Sequence, residues 1–375
     1  MTAAYQNTVP TAQSWHWATS ESLAPPPLSV PYSVAVNVRF SLGLALIVLA
    51  ATWWLTLKVR RYAEARQLLD VPNARSSHVV ATPRGGGVAI VLTTVLAFPV
   101  LGAFGTLAWP AVAALVGGGG LVAVIGFADD HQDIPARWRL LGHFAAAVWV
   151  LAWIGGLPPL PMLGTVLDLG PVGHGLAVLY LVWLLNLTNF MDGIDGIAGV
   201  ETVTVSLGGA LLYWAAAPSS TQWVAPVVLA SATLGFLFWN WAPAKIFMGD
   251  AGSGFLGLML AAFSLQAARV QPGLFWGWVI LLAVFIVDAT VTLVRRVARG
   301  ERFDQAHKSH AYQQAARRWG AHQPVTLVVG AINIAWLLPW ALLVSLDRVD
   351  ALAGVCIAYA PLVAVVVWLR AGKPA

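Results

Sequence analysis

The sequence predicts an all-α, polytopic integral membrane protein of about eleven transmembrane helices, with its N-terminus outside and its C-terminus cytosolic. Three observations lead there. Of 375 residues, 59% are apolar and only 10% charged, with a mean hydropathy of +0.75, whereas a soluble domain carries roughly 25% charged residues. The apolar residues gather into runs of about 20, enough to cross a hydrocarbon core. The basic residues fall almost entirely on one side of those runs. Together these exclude a water-soluble enzyme.

Residues 1–33 contain three consecutive prolines, Pro25 to Pro27, and no Lys or Arg. Without a basic n-region this stretch does not read as a secretory signal, and it is expected to be a flexible tail. The apolar runs then follow at 34–57, 86–106, 108–128, 138–157, 172–190, 195–216, 223–242, 252–270, 273–294, 325–345 and 351–369. They define one multi-pass domain over 34–370 with cytosolic loops at 58–85, 127–137, 190–195, 243–251 and 295–324. If the loop after the first run is cytosolic and the sides alternate, only Arg39, Arg269 and Arg348 of the 21 basic residues fall outside. That asymmetry orients the chain. The net charge of +5 is therefore a property of one membrane face and does not point to nucleic acid. The 19 Trp suit the interfacial belts, and a lone Cys356 excludes an intramolecular disulfide and a cysteine-only metal cluster.

The unusual polar clusters all sit at cytosolic helix ends. Asp70–Gly87 ends in Gly85, Gly86 and Gly87 at the start of a helix, with Arg75, His78 and Arg84 nearby; such glycines let backbone amides approach an anion. The other reading is a basic loop with a glycine-rich turn. Asp129 and Asp130 are adjacent, and neighbouring carboxylates need a metal, a proton or a cationic partner. In N-L-T-N-F-M-D-G-I-D-G, Asn186 and Asn189 lie one turn apart while Asp192 and Asp195 occupy a glycine-hinged turn. Oxygen donors of this kind suit magnesium rather than zinc.

In A-K-I-F-M-G-D-A-G-S, Phe247 offers a flat face on which a base could stack, three residues before Asp250. In the last cytosolic loop His307, Lys308 and His310 form a cationic cluster suited to phosphate. The same histidine spacing is also a zinc pattern, but no third strong ligand is nearby. Asp288 and Glu201 lie within apolar runs, where a carboxylate is costly and a functional suspect.

In this order, on cytosolic loops, the five pieces resemble the polyprenyl-phosphate N-acetylhexosamine-1-phosphate transferase superfamily, glycosyltransferase family 4. The resemblance covers roughly residues 40–345 and rests on N-x-x-N-x-x-D-G-x-D-G and F-M-G-D-x-G-S. It implies a magnesium-dependent enzyme (manganese is an alternative) of the bacterial inner membrane. The reaction implied is transfer of a sugar 1-phosphate from a UDP-N-acetylhexosamine to undecaprenyl phosphate, with release of UMP. Carried over by motif, Asn189 and Asp250 would bind the metal. Phe247 would stack on uracil beside Asp192 and Asp195, with Asn186, Lys245 and Arg84 also contacting substrate. Asp129 would take the acceptor's proton or attack the nucleotide sugar, supported by Asp130. His307 and His310 would face the diphosphate, helped by Arg296, Arg302 and Lys308.

The last loop reads H-K-S-H-A-Y-Q rather than the triple histidine of the phospho-MurNAc-pentapeptide translocases. It resembles more closely the WbpL-like branch, which starts O-antigen or other surface polysaccharides. Peptidoglycan synthesis stays as an alternative, and so does a proton- or cation-coupled transporter using Asp288 and Glu201. A transporter, however, should place its polar groups near the bilayer midplane. Membrane lipid is an expected partner, nucleic acid is not, and a homodimer is left open.

Overall fold

Each of the eleven apolar runs lies on a helix or a pair of helices. The computed structural model describes residues 32–71, 80–132, 134–301 and 308–373; the predicted tail, as far as residue 31, together with Arg75, His78, Arg302 and His307, lies outside them. The helices are α1 (Tyr32–Ala65), α2 (Gly87–Ala103), α3 (Trp109–Gln132), α4 (Ala136–Ile154), α5 (Gly170–Met191), α6 (Ile197–Ala216) and α7 (Val224–Asn240). There follow α8 (Asp250–Val270), α9 (Pro272–Leu281), α10 (Ala283–Val297), α11 (Ala311–Trp319), α12 (Gln323–Ile332), α13 (Leu338–Ser345) and α14 (Ala351–Trp368). Two short antiparallel hairpins pair β1 (Leu69–Asp70) with β2 (Thr82–Pro83) and β3 (Leu160–Met162) with β4 (Thr165–Leu167). Among the described residues seven helical segments are long and apolar enough to cross a membrane, or eight with the bent pair α9–α10; α2 and α7 are apolar but have 17 residues each. The protein is a polytopic helical membrane protein.

Two predicted spans are not single straight helices. The run at 273–294 is bent by 67° between α9 and α10, although Leu281, Leu282 and Ala283 include no Gly or Pro. The Glu201 side chain of α6 lies beside the Phe285 backbone amide there, and a polar group at a helix ladder is a recognised cause of a kink. Asn333 donates to the same carboxylate at 2.7 Å and to Thr204 at 2.8 Å. It opens a π-helical turn, Asn333–Leu337, between α12 and α13. The intramembrane acid Glu201 therefore joins three helical segments.

α8 is the axis. Every residue from Ala251 to Ala268 is buried, as expected of a helix apolar on all sides, and α2, α3, α5 and α9 pack around it. Close approach depends on glycine. A Cβ on Gly87 of α2 would sit 2.4 Å from the Gly252 Cα, and one on Gly126 of α3 would sit 2.5 Å from the Ala251 amide nitrogen. On α8 itself, a Cβ on Gly257 would meet the Leu184 carbonyl oxygen of α5 at 2.6 Å. These crossings gather the polar ends of α2, α3 and α5 around the first turn of α8.

Beyond α14 the chain returns to the end of α10. The Gly372 amide donates to the Ser309 carbonyl at 2.6 Å, Arg295 donates to the Ala371 carbonyl at 3.0 Å, and Arg299 donates to the Gly372 carbonyl. Leu369–Gly372 thus borders the last loop.

Substituting Gly252 by Val would force a side chain against backbone. The midpoint of thermal unfolding in detergent should fall by the equivalent of about 1–3 kcal/mol, the usual cost of overpacking. Gly120→Ala, at a helical glycine with nothing within 4 Å, should leave the midpoint unchanged or raise it by up to about 1 kcal/mol.

Candidate active site

The first turn of α8 has no capping side chain of its own, because Gly249 precedes it with φ +79°. Its orphan amides are met from another helix. The Asp130 carboxylate, at the end of α3, accepts from the Asp250 amide at 3.0 Å and the Ala251 amide at 3.4 Å. Arg84 then bridges Asp130 at 2.7 Å and Asp250 at 3.0 Å. Burial works against the Arg84 charge, but the carboxylates of Asp130, Asp250 and Asp70 outweigh it and hold the guanidinium above its ordinary pKa. Asp129 faces the other way: it accepts from the Ile134 amide at 2.7 Å and pairs with Arg139 of α4. Arg139 also reaches Asp250 at 3.5 Å. Adjacent carboxylates are thereby split between two arginines.

A cavity of about 550 Å³ opens over this cluster, between the ends of α3, α4, α5, α8, α10 and α11. Of the residues singled out from sequence, Asp129, Asn186, Asn189, Asp192, Asp250 and His310 line it. Asn189 donates to Ser253 at 2.9 Å and Asn186 to the Val182 carbonyl at 2.7 Å. Asp192 follows α5 directly, and burial, reinforced by repulsion from Asp250, Asp130 and Asp195 and opposed by Arg84, raises its carboxyl pKa to about 7.

His310 is buried, with Nδ1 3.3 Å from Asp288. Asp288, an acid within α10, also accepts from the amides of Ala311 and Tyr312 at 2.8 and 3.0 Å, so it caps α11. Tyr312 packs over His310, donates to the Phe190 carbonyl at 3.1 Å and would touch any Cβ at Gly193. Burial, with the charges of Asp288 and Asp192, raises its phenol well above the usual range.

Other expected contributors lie outside the cavity wall. Asp195 accepts from the Ala244 amide at 3.1 Å and lies 3.3 Å from His322, which ties its turn to the 243–249 loop. The amides of Gly86 and Gly87 do not wait for an anion. They donate to the carbonyls of Phe247 and Met248, both at 2.9 Å, so the glycines serve close packing and loop pairing. Phe247 is half-buried and also donates its amide to Pro83 at 2.8 Å. Lys245 is exposed over the Trp239 ring. Arg296 is buried and paired with Glu301 at 2.8 Å. The Lys308 carbonyl accepts from Arg317 at 2.9 Å.

Sequence reasoning missed Arg139, His143, Tyr312 and Gln313, all of which line the cavity. A signal was present in the Asp-Asp pair, whose repulsion calls for a cation at an adjacent helix start. Among the described residues no three His, Cys, Asp or Glu side chains converge as a complete metal cage.

A bundle built on a buried helix, with acids, arginines and a histidine gathered at one mouth, is the architecture of a membrane-embedded enzyme. The sequence model of glycosyl transferase family 4 matches residues 112–268. The decaprenyl-phosphate N-acetylglucosaminephosphotransferase of Mycobacterium tuberculosis is 33% identical over 325 residues, covering 76% of this chain and 79% of that protein. "Probable undecaprenyl-phosphate N-acetylglucosaminyl 1-phosphate transferase" of Bacillus subtilis is 29% identical, covering 73% and 77%. Phospho-N-acetylmuramoyl-pentapeptide-transferase of Symbiobacterium thermophilum is 30% identical, covering 76% and 89%. The chain belongs to glycosyl transferase family 4, and it is a membrane transferase of that family.

The Asp192 shift has a thermodynamic consequence. Between its ordinary value of 3.8 and about 7 the folded protein holds a proton that the unfolded chain has lost, so stability should fall as pH rises through that window. Unfolding midpoints measured in chelator across it should decline more steeply for the wild type than for Asp192→Asn. Equal slopes would contradict the assignment.

Proposed function

We propose that the protein transfers an N-acetylhexosamine 1-phosphate from a UDP-sugar to undecaprenyl phosphate at the cytosolic face of the bacterial inner membrane. The products are undecaprenyl-diphosphate-sugar and UMP, and the reaction begins O-antigen or another cell-surface polysaccharide. The observation that carries this reading is the cavity itself. Its mouth holds Asp129, Arg139, Asp192, Asp250 and His310, while Val122, Ile125, Leu140, Val182 and Leu293 form an apolar wall. A water-soluble diphosphate and a lipid phosphate would meet where those two surfaces join.

The donor set fits magnesium. Asn189 and Asp250 line one cavity and would offer it hard oxygen donors, and an incomplete protein cage suits an ion that keeps waters and binds substrate phosphates. When bound, magnesium supplies charge neutralisation to the diphosphate. Phe247, on the loop before α8, offers its ring to uracil, and Lys245 and Arg84 flank that loop. An acceptor phosphate oxygen forms a bond to the β-phosphorus of the donor, the bond from that phosphorus to the bridging oxygen breaks, and UMP leaves with that oxygen.

Asp192 is better suited than Asp129 to take a proton from the acceptor. Its carboxyl lines the cavity and makes no ion pair in the cluster among the described residues, and burial raises its pKa, whereas Asp129 is already paired with Arg139. Asp130 positions Asp250 by capping α8. Arg139 and His310 face charge developing on the transferred group, and Asp288 sets the His310 ring. Lys308, with His307 and Arg302 of the same stretch of sequence, would add positive charge to the loop, whereas Arg296 at the end of α10 is held by Glu301.

The relative from Symbiobacterium thermophilum keeps the peptidoglycan reading in view. The H-K-S-H-A-Y-Q loop favours the surface-polysaccharide branch.

Purified protein with magnesium, undecaprenyl phosphate and a panel of UDP-N-acetylhexosamines should yield a lipid diphosphate sugar by mass spectrometry, and a chelator should abolish it. Asp250→Ala should lower kcat by at least about 100-fold, as loss of an electrostatic anchor does. Full activity in that variant, or no product from any such donor, would count against the proposal. Turnover of UDP-MurNAc-pentapeptide alone would move it to the peptidoglycan branch.

A further inference from the structure

The turn that carries Asp192 is tied to the last loop by the phenol of Tyr312. α5 ends at Met191, and the last carbonyls of a helix have no partner within it. Here the Asn189 carbonyl accepts from the Asp192 amide at 3.3 Å, and the Phe190 carbonyl accepts from the Tyr312 hydroxyl at 3.1 Å. The Gly193 amide lies beside the same hydroxyl oxygen. Asp192 is thus flanked on both sides by backbone groups that meet Tyr312.

At its other end Tyr312 belongs to the last loop. Asp288 accepts from its amide at 3.0 Å, and its ring stacks on His310 with centroids 5.6 Å apart. Packing of the ring alone would be served equally by Phe. Two observations single out the oxygen instead: its hydrogen bond to Phe190 and the glycine opposite it. A Cβ on Gly193 would sit 2.1 Å from the hydroxyl oxygen but 3.1 Å from Cζ, the ring carbon that bears it. The space kept clear at Gly193 is therefore the space of a hydroxyl group.

We infer that Tyr312 is a positioning residue, whose hydroxyl pins the turn at 190–193 to the His310 loop and so sets where the Asp192 carboxylate stands relative to the histidine. This rests on the function proposed above, in which Asp192 takes the acceptor's proton and His310 faces the transferred group. Those two side chains come from segments far apart in the chain, and the phenol spans the distance between them. Tyr312 acts through Asp192 and makes no bond to the reacting atoms.

The test separates positioning from packing. In the full-length protein with magnesium, Tyr312→Phe should lower kcat at least about tenfold, since a misplacement of about 1 Å can cost about 100-fold, while the KM values for undecaprenyl phosphate and the UDP-sugar stay within about twofold. Gly193→Ala, which drives a methyl group against the hydroxyl, should lower kcat in the same way. In the Tyr312→Phe background that oxygen is already gone, so Gly193→Ala should cost less than about twofold more. Both substitutions act on one contact, and their effects should not multiply. A wild-type kcat in Tyr312→Phe, raised KM values with kcat unchanged, or effects that multiply overturn the inference.

Hydrogen exchange distinguishes this inference from the proposed function, because it needs no turnover. Peptides that contain Asp192 and Gly193 should exchange about fivefold faster in Tyr312→Phe than in the wild type, the factor set by loss of one hydrogen bond. If no donor supports turnover but exchange rises in this way, the hydroxyl clamp stands and the proposed reaction falls. Unchanged exchange removes the clamp whatever the activity. Should Tyr312→Phe fail to fold, the same kinetic and exchange measurements on Gly193→Ala decide the matter.

Discussion

The candidate site depends on one carboxylate that does not line the cavity. Asp130 stands at the end of α3 and takes the first amides of α8, whose own preceding residue is a glycine without a capping side chain. Capping from a different helix fixes two segments against each other and places negative charge where the helix dipole favours it. Arg84 then locks the same carboxylate to Asp250. Without that arrangement Asp250 would lose its nearer cationic partner and keep only the longer pairing with Arg139 at 3.5 Å. The glycine crossings at Gly87, Gly126 and Gly252 make the approach sterically possible.

Much of this was legible in the sequence, for reasons that differ by level. Apolar runs of bilayer length are set by composition alone, so each coincides with a helix or helix pair. Asn186, Asn189, Asp192 and Asp250 were visible because clustered acids and amides at a helix mouth are expensive without a task, and they do share one cavity. The bend at Leu282 was not visible, because no Gly or Pro marks it and Glu201 lies far away in the chain. The glycines at 85–87 were misleading for a related reason. Sequence shows that the backbone can come close to something, but not whether the neighbour is an anion or, as here, another strand of the same chain. Arg139 and His143 went unnoticed because a helix face acquires meaning only when its opposite wall is known.

The adjacent acids of α3 illustrate how position divides labour. Asp129 and Asp130 are chemically identical and next to one another, yet successive residues on a helix point about 100° apart. One reaches the amides of α8 and the other Arg139. A similar division separates Asp192, which lines the cavity, from Asp195, whose carboxylate holds the neighbouring loop. In each pair one carboxyl group faces the cavity while the other maintains the geometry around it. Paired acids in a motif are therefore not evidence of paired roles.

The return of Leu369–Gly372 to the last loop gives the chain a temporal order. Ser309, one residue before His310, accepts from Gly372, and two arginines at the end of α10 hold the carbonyls beside it. The acid cluster around α8 is complete once residue 250 has emerged during synthesis, but the histidine loop lacks this support until the chain reaches position 372. A nascent chain thus carries the acids and arginines around α8 well before the His310 loop gains its last backbone contacts.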